Sequence, residues 1–378
     1  METDKRLLYI GNIRLFVVIL VVIMHLSVTY SGMGNWYYQE GRILSGGEKA
    51  FFSFFQPFVQ AFFMGFLFLI AGYFVPGAYD RKGFGPFLKD RAMRLGVPTL
   101  LFMFLVDPFT EYVLLGSPAP GQDFISFYAQ NITSLRILSG TGPLWFAVAL
   151  LVFTVIYAVA RRMAGRTWDA SQRKLSPTPA ALCILVLVIA ALTFLVRIWF
   201  PVTTNLFNMP LCHFAQYIVL FIAGILAHRH DMLSKLNKSY IGLLYGAPHW
   251  GFGVWVVLML ACQAFWSRDY ALLDGGFTWQ SALYALWESF AAVAMVVSLL
   301  VLFREKFNSQ RKLTKKISDS AFAVYVFHTP VIVAITLLFQ SVDWPPFIKF
   351  ITMIPVCVPA CFTVSYILRK IPLLKKIL

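Results

Sequence analysis

Charge is what this sequence has least of. Only 13% of its 378 residues are Asp, Glu, Lys or Arg, where soluble domains carry about 25%. The deficit excludes a water-soluble enzyme, a disordered scaffold and a coiled coil. Acidic residues are the scarcer sign, 17 against 32 Lys and Arg, which leaves a net charge of +15. Also missing are GxxxxGK[ST], HExxH and GxSxG sequences, so ATP hydrolysis, zinc proteolysis and nucleophile-elbow hydrolysis have no support. Cysteines number only 5: Cys183, Cys212, Cys262, Cys357 and Cys361. All fall in or at the edges of apolar runs, and read as reduced structural thiols. Cys357 and Cys361 share a helix face, but without His or carboxylate partners they make a poor metal site, and no metal is expected.

What fills the chain instead is apolar sequence: 59% hydrophobic, 17% aromatic, mean hydropathy +0.72. Runs long enough to cross a bilayer as helices fall near 11–30, 51–76, 95–115, 143–160, 180–200, 211–227, 241–266, 281–303, 319–340 and 347–368. The expectation is an all-α, polytopic membrane helix bundle of about ten spans, a single integral membrane domain over 1–378, with no room for a sizeable soluble domain. The first run follows Lys5 and Arg6 like a signal peptide. However, it carries Arg14 and His25 and lacks a small-residue cleavage site, so an uncleaved first helix is expected.

Counting Lys and Arg tests the alternation of loops. With a cytoplasmic N-terminus, twenty-five of the 32 fall in inside segments, and only Arg42, Lys49, Arg136 and Arg268 fall outside. A missed or invented span would scramble that pattern, so both termini are expected in the cytoplasm. The positive charge is therefore a topology signal suited to anionic lipid or an anionic cytoplasmic ligand, not a nucleic-acid footprint.

Ionisable groups inside spans are costly, about 2.5–3.5 kcal/mol at a helix centre on insertion scales, and each needs a reason. Arg14 and His25 project from nearly the same face of the first helix, about 16 Å apart along its axis. Arg14 lies near the cytoplasmic boundary and His25 in the outer half. Two readings stand: Arg14 snorkels and His25 is a packing residue, or the pair marks a functional stripe. Arg91 and Arg94 in "RAMRLGVP", three apart at the mouth of the third helix, put two guanidinium groups on one face. They suit a phosphate-rich ligand, or are ordinary positive-inside charge. In "SAFAVYVFHTP", Tyr325 and His328 share a face of the ninth helix, with Pro330 following. In "GTGPLWFAVALLVF", Gly142 and Pro143 open the fourth helix and Trp145 sits at interface depth. Asp107, Glu111, Arg197 and Glu288 lie in or at the ends of outer halves of spans. They line a polar vestibule, pair with one another, or sit at the headgroups; for Arg197, interfacial snorkelling is the plainer expectation.

In order and spacing, these segments resemble the acyltransferase-3 family of bacterial integral membrane acyltransferases. The resemblance rests on Arg14 and His25 separated by ten residues, "FFMGFLFLIAGYFVP", "RAMRLGVP", "GPLWFAVALL" and "AFAVYVFHTPV". Between about 160 and 310 it is carried by hydropathy more than by residues. Within the family the chain is most similar to the glucan biosynthesis protein C group, linked to succinylation of periplasmic glucans, which the closing "LRKIPLLKKIL" supports. Ala71 stands where members often have Ser before the Gly-Tyr of the second helix. Ala321, with Ser320 adjacent, stands where they often have Ser seven residues before the ninth-helix histidine. Hydroxyl roles at those two places do not carry over.

The resemblance implies a membrane O-acyltransferase of the bacterial inner membrane. It would take an acyl group from cytoplasmic acyl-CoA, the donor substrate, to a hydroxyl of an extracytoplasmic glycan, with no permanently bound cofactor. His25 is then expected as general base, with Arg14 and His328 beside it in catalysis and His328 in a supporting role. Arg14, Arg91 and Arg94 would hold coenzyme A. Tyr325, Trp145, Glu288 and Arg197 would meet substrate, Arg197 through a second carboxylate if the acyl group is succinyl. The rival class is a ten-helix transporter or flippase with the same polar groups lining a path; a purely structural membrane partner is the third. The acyl group, the glycan and the oligomeric state are not legible.

Overall fold

The computed structural model describes residues 7–116, 121–165, 175–265 and 271–378. Lys5, Arg6, Arg166, Arg173, Lys174 and Arg268, part of the charge count above, lie outside the described residues, as does the side chain of Cys262. Among the described residues there is no β-strand, only a bridge between Leu206 and Met209.

Among the described residues, ten helices are long and apolar enough to cross a membrane, and each overlaps an expected span. They are α1 Leu8–Ser31, α2 Gly46–Lys82, α3 Phe84–Leu114, α4 Gly142–Ala164, α5 Pro179–Trp199, α6 Leu211–Arg229, α7 Lys238–Ala261, α8 Trp279–Lys306, α9 Ala321–Leu338 and α10 Pro346–Leu368. Two outrun their apolar cores for local reasons. A capping box between Ser45 and Glu48 starts α2 a turn early. The polar stretch before the third run continues the helix back to Phe84, and α3 is wound irregularly. Its π turns span Ala92–Gly96, Phe102–Val106 and Phe109–Leu114. The first two each end two residues before a proline, Pro98 or Pro108. A proline has no N–H and crowds the carbonyl a turn earlier, and widening that turn relieves both.

Hydrogen bonds place the helix ends at two opposite faces. At one, Asn12 donates to the carbonyls of Phe307 (2.6 Å) and Ser309 (3.1 Å), Ser318 donates to Gly11 (3.1 Å), and Arg369 to Ser320 (3.0 Å). That face also holds the ends of α2 and α6, where Arg229 pairs with Asp80 at 2.8 Å. At the other, the loop after α1 meets the α9–α10 connection. Lys349 pairs with Glu40 at 2.6 Å with both side chains buried, Arg42 pairs with Asp343, and Glu48 accepts from the Phe347 amide at 2.9 Å.

The most apolar stretch of α8 is 83% buried, making it the central post. α1, α2, α5 and α7 pack around it, and α9 and α10 close on α1. The tightest crossing is α2 on α6. A Cβ at Gly72 would stand 2.1 Å from the Phe221 carbonyl oxygen, and one at Gly224 would stand 2.1 Å from that of Leu69. Small residues let the two backbones touch where lipid provides no hydrophobic drive for association.

Candidate active site

The site is built around a turn only glycine can make. Gly142 has φ +48°, and a Cβ there would clash with the Phe102 ring and the Tyr37 hydroxyl. Its carbonyl accepts from Asn208 at 2.6 Å, and the Pro143 carbonyl accepts from the Tyr325 hydroxyl. Loops and helices from four parts of the chain thus converge on the start of α4. Beside them opens a cavity of about 780 Å³, walled by His25, Trp36, Tyr37, Trp145, Tyr325 and His213 among others.

His25 is half-buried on this wall. Three rings lie nearly parallel there: His25 to Trp36 with centroids 3.7 Å apart at 12°, and His25 to His328 at 5.1 Å and 19°. His328 is fully buried. Its Nδ1 lies 2.9 Å from the Tyr325 carbonyl oxygen and 3.2 Å from that of Val324. Only an N–H meets a carbonyl, so the hydrogen bonds assign the proton to Nδ1. Nε2 is left as a buried lone pair with no protein partner.

Acidic and amide groups ring the rest of the cavity. Tyr37 donates to Asp107, which is buried, and Glu111 and Arg136 stand beside that pair. Burial and the neighbouring Asp107 carboxylate push the Tyr37 phenol well above its usual range, so it remains a donor. Gln56 bridges Ser27 (3.2 Å) and Ser31 (2.9 Å), and Gln60 donates to Tyr217 at 3.2 Å.

At the opposite face, Arg14 is exposed and within electrostatic reach of Arg91. The Arg91 guanidinium lies 5.1 Å from the Phe87 ring, and its Nε is buried without a partner. Arg94 behaves differently from the side-by-side expectation. It points out, with 67% of its side chain exposed, and pairs with Asp90 at 3.1 Å; Asp90 also holds Lys82 at 2.9 Å. The cause is the π turn over Ala92–Gly96. With more residues per turn than an α-helix, positions three apart no longer share a face.

Arg14 and His25 do sit on one stripe of α1, with buried residues between them. The cavity wall reaches Val21 and does not include Arg14, and Val18, between the two, is buried. The stripe therefore runs from the exposed Arg14, past the buried Val18, to the cavity at His25.

The expectation that Arg197 snorkels to the headgroups is overturned. Arg197 is fully buried, its Nη2 2.5 Å from Glu288 Oε2, and its guanidinium lies 5.1 Å from the Tyr284 ring. Glu288 Oε1 in turn meets His213 Nδ1 at 3.0 Å. A charge that would cost several kcal/mol alone is tolerable when so paired. Neither Arg197 nor Glu288 lines the cavity; only His213 does. Trp145, Tyr325, Asp107 and Glu111 all line the cavity. Trp36, Tyr37 and His213 were not singled out from sequence. The available signal for His213 was an ionisable residue at the start of a span; for Trp36 and Tyr37 it was an aromatic pair eleven and twelve residues beyond His25.

The acyltransferase domain of the acyltransferase-3 family matches residues 7–370. Among curated proteins the chain is similar to those named glucans biosynthesis protein C of Salmonella schwarzengrund (strain CVM19633), Salmonella typhi and Salmonella typhimurium. Each is 25% identical over 256 residues, covering 63% of this chain and 63% of the relative's own length. No solved structure matches. With the family's domain running over nearly its whole described length and ten apolar helices beneath it, the chain belongs to the acyltransferase-3 family of multi-pass membrane proteins.

Proposed function

We propose that the protein moves an acyl group from coenzyme A, on the cytoplasmic side of a bacterial inner membrane, to a hydroxyl of a glycan on the far side. The observation that carries this reading is the placement of His25: an imidazole on the cavity wall, stacked on Trp36 with His328 beside it, on the same helical stripe as the exposed Arg14. The excess of Lys and Arg in alternate loops supports cytoplasmic termini, and so a cytoplasmic Arg14 and Arg91.

Coenzyme A is anionic and needs cations. Arg91, with an unpartnered Nε, and Arg14 beside it offer them. The outer cavity is lined by carboxylates, amides and aromatic faces, the groups that bind hydroxyl-rich rings. Neutral His25 accepts the proton from the acceptor hydroxyl as its oxygen attacks the thioester carbon. The C–O bond forms, the C–S bond breaks, and the proton passes to the departing thiolate. Such a base contributes about 10²–10⁴ in rate. His328, with its proton committed to a backbone carbonyl, supports the stack that aims His25. A covalent acyl-histidine relay uses the same groups. The relatives' printed name supports a glucan as acceptor, and succinyl follows as the acyl group to test first.

The donor arm must pass Val18. The test uses purified protein in lipid vesicles, given radiolabelled succinyl-CoA or acetyl-CoA and glucose oligomers, with products read by mass spectrometry. Wild type is expected to cleave thioester only with acceptor present. Val18→Trp is expected to block transfer while coenzyme A still protects the protein against heating. Glycan movement without thioester cleavage would overturn the reading in favour of a transporter.

A further inference from the structure

Three side chains the proposed chemistry does not use form a buried relay at the cavity's edge. Arg197 comes from the end of α5, His213 from the start of α6, and Glu288 from the middle of α8. The contacts are Arg197 Nη2 to Glu288 Oε2 at 2.5 Å, Glu288 Oε1 to His213 Nδ1 at 3.0 Å, and Arg197 Nη2 to His213 Nδ1 at 3.3 Å. All three side chains are 6% exposed or less. A carboxylate only accepts, so Nδ1, closer to Glu288 than to Arg197, meets it as N–H, and the 3.3 Å approach of Arg197 is then a contact between two donors rather than a hydrogen bond. The Cys212 thiol lies against the ring. The remaining nitrogen, Nε2, belongs to the one member of the relay that lines the cavity.

A helix clamp alone does not account for this. The Arg197–Glu288 pair already ties α5 to α8, and apolar side chains of similar volume hold helices together as well or better. A carboxylate behind Nδ1 fixes the tautomer and orientation of an imidazole for whatever its other nitrogen meets. His213 and His25 make no ring contact with each other. Ring contacts between them run through Tyr325, Phe146, Trp145 and Tyr217, so the two imidazoles serve different parts of the wall. A cavity of about 780 Å³ is at the large end for small-molecule sites.

We propose that His213 binds a sugar residue of the acceptor beyond the one that is acylated, with Glu288 and Arg197 as the positioning residues that hold its ring at the cavity wall. The inference rests on the cavity being the acceptor site, and does not require that acyl transfer occur there.

Binding of glucose and of a glucose hexamer to the full-length protein in nanodiscs tests it, without any donor. Wild type is expected to prefer the hexamer. His213→Asn places its amide where Nδ1 was, keeping the Glu288 contact but not the reach into the cavity. It should bind the hexamer roughly tenfold more weakly and lose most of the preference. His213→Gln, with its amide near the Nε2 position, should recover part of it. Glu288→Gln, which loosens the aim, should fall between, and thermal unfolding of each variant separates this from misfolding. Equal hexamer affinity in folded His213→Asn and wild type, or no preference for the hexamer in wild type, would overturn the subsite. Hexamer binding without acyl transfer would leave the subsite standing and sink the proposed chemistry instead.

Discussion

His25 and Trp36 lie face to face, their ring centroids 3.7 Å apart and 12° from parallel. Trp36 arrives there on the loop after α1, which is moored by Glu40 to Lys349 and by Arg42 to Asp343. The indole therefore sets the plane of the imidazole on the cavity wall. Trp36→Ala is expected to lower the transfer rate about 10- to 100-fold, because a small misplacement of a reacting group costs that much. Trp36→Phe should keep most of it. An initial-rate assay with acceptor saturating distinguishes the two.

The same stack separates the histidines by role. His25→Ala should cost the full contribution of a base, about 10²–10⁴ in rate. His328→Asn keeps an N–H near the Tyr325 carbonyl and should cost less than a tenth of that. Equal losses in single-turnover measurements would assign His328 to the chemistry itself.

Arg91 and Arg94 should not behave alike. Arg94 is mostly exposed and engaged by Asp90, whereas Arg91 keeps an unpartnered buried Nε. Removing a charge-assisted hydrogen bond costs about 1.5–3 kcal/mol. Arg91→Ala is thus expected to raise the KM for acyl-CoA by about tenfold or more, and Arg94→Ala by a few-fold at most. Both are read from donor titrations at fixed acceptor.

Stability should depend sharply on the α2–α6 crossing. A methyl group at Gly72 would meet the Phe221 backbone at 2.1 Å, which no side-chain rotation relieves. Gly72→Ala is expected to destabilise the bundle by about 1–3 kcal/mol, the usual cost of overpacking. It should lower the midpoint of thermal unfolding in detergent. Gly253→Ala, in open space on α7, should not.

The helices were legible because a span is written in consecutive residues. Twenty apolar side chains with few charges admit little but a helix in lipid, and α1 through α10 followed in order. The Arg14–His25 stripe was legible for the same reason, being local to one helix. The pairing of Arg197 with Glu288 was one of three readings the sequence left open and could not be selected, since the two lie 91 positions apart and either one alone also reads as an interfacial charge. The outward turn of Arg94 was missed because sequence spacing presumes regular winding, and the prolines of α3 widen it locally. Trp36 and His213 escaped because nothing in a loop or at a helix start states what it will face.

By itself, the sequence determined the solvent, the number of crossings and which residues share a helical face, all consequences of the side chains adjacent along the chain and the period of a helix. Tertiary packing alone decided that Trp36 covers His25, that Glu288 backs His213, and that Val18 is buried between Arg14 and His25. Each of those contacts joins helices or loops whose mutual angles come from the best fit of whole surfaces, and no single segment carries that information.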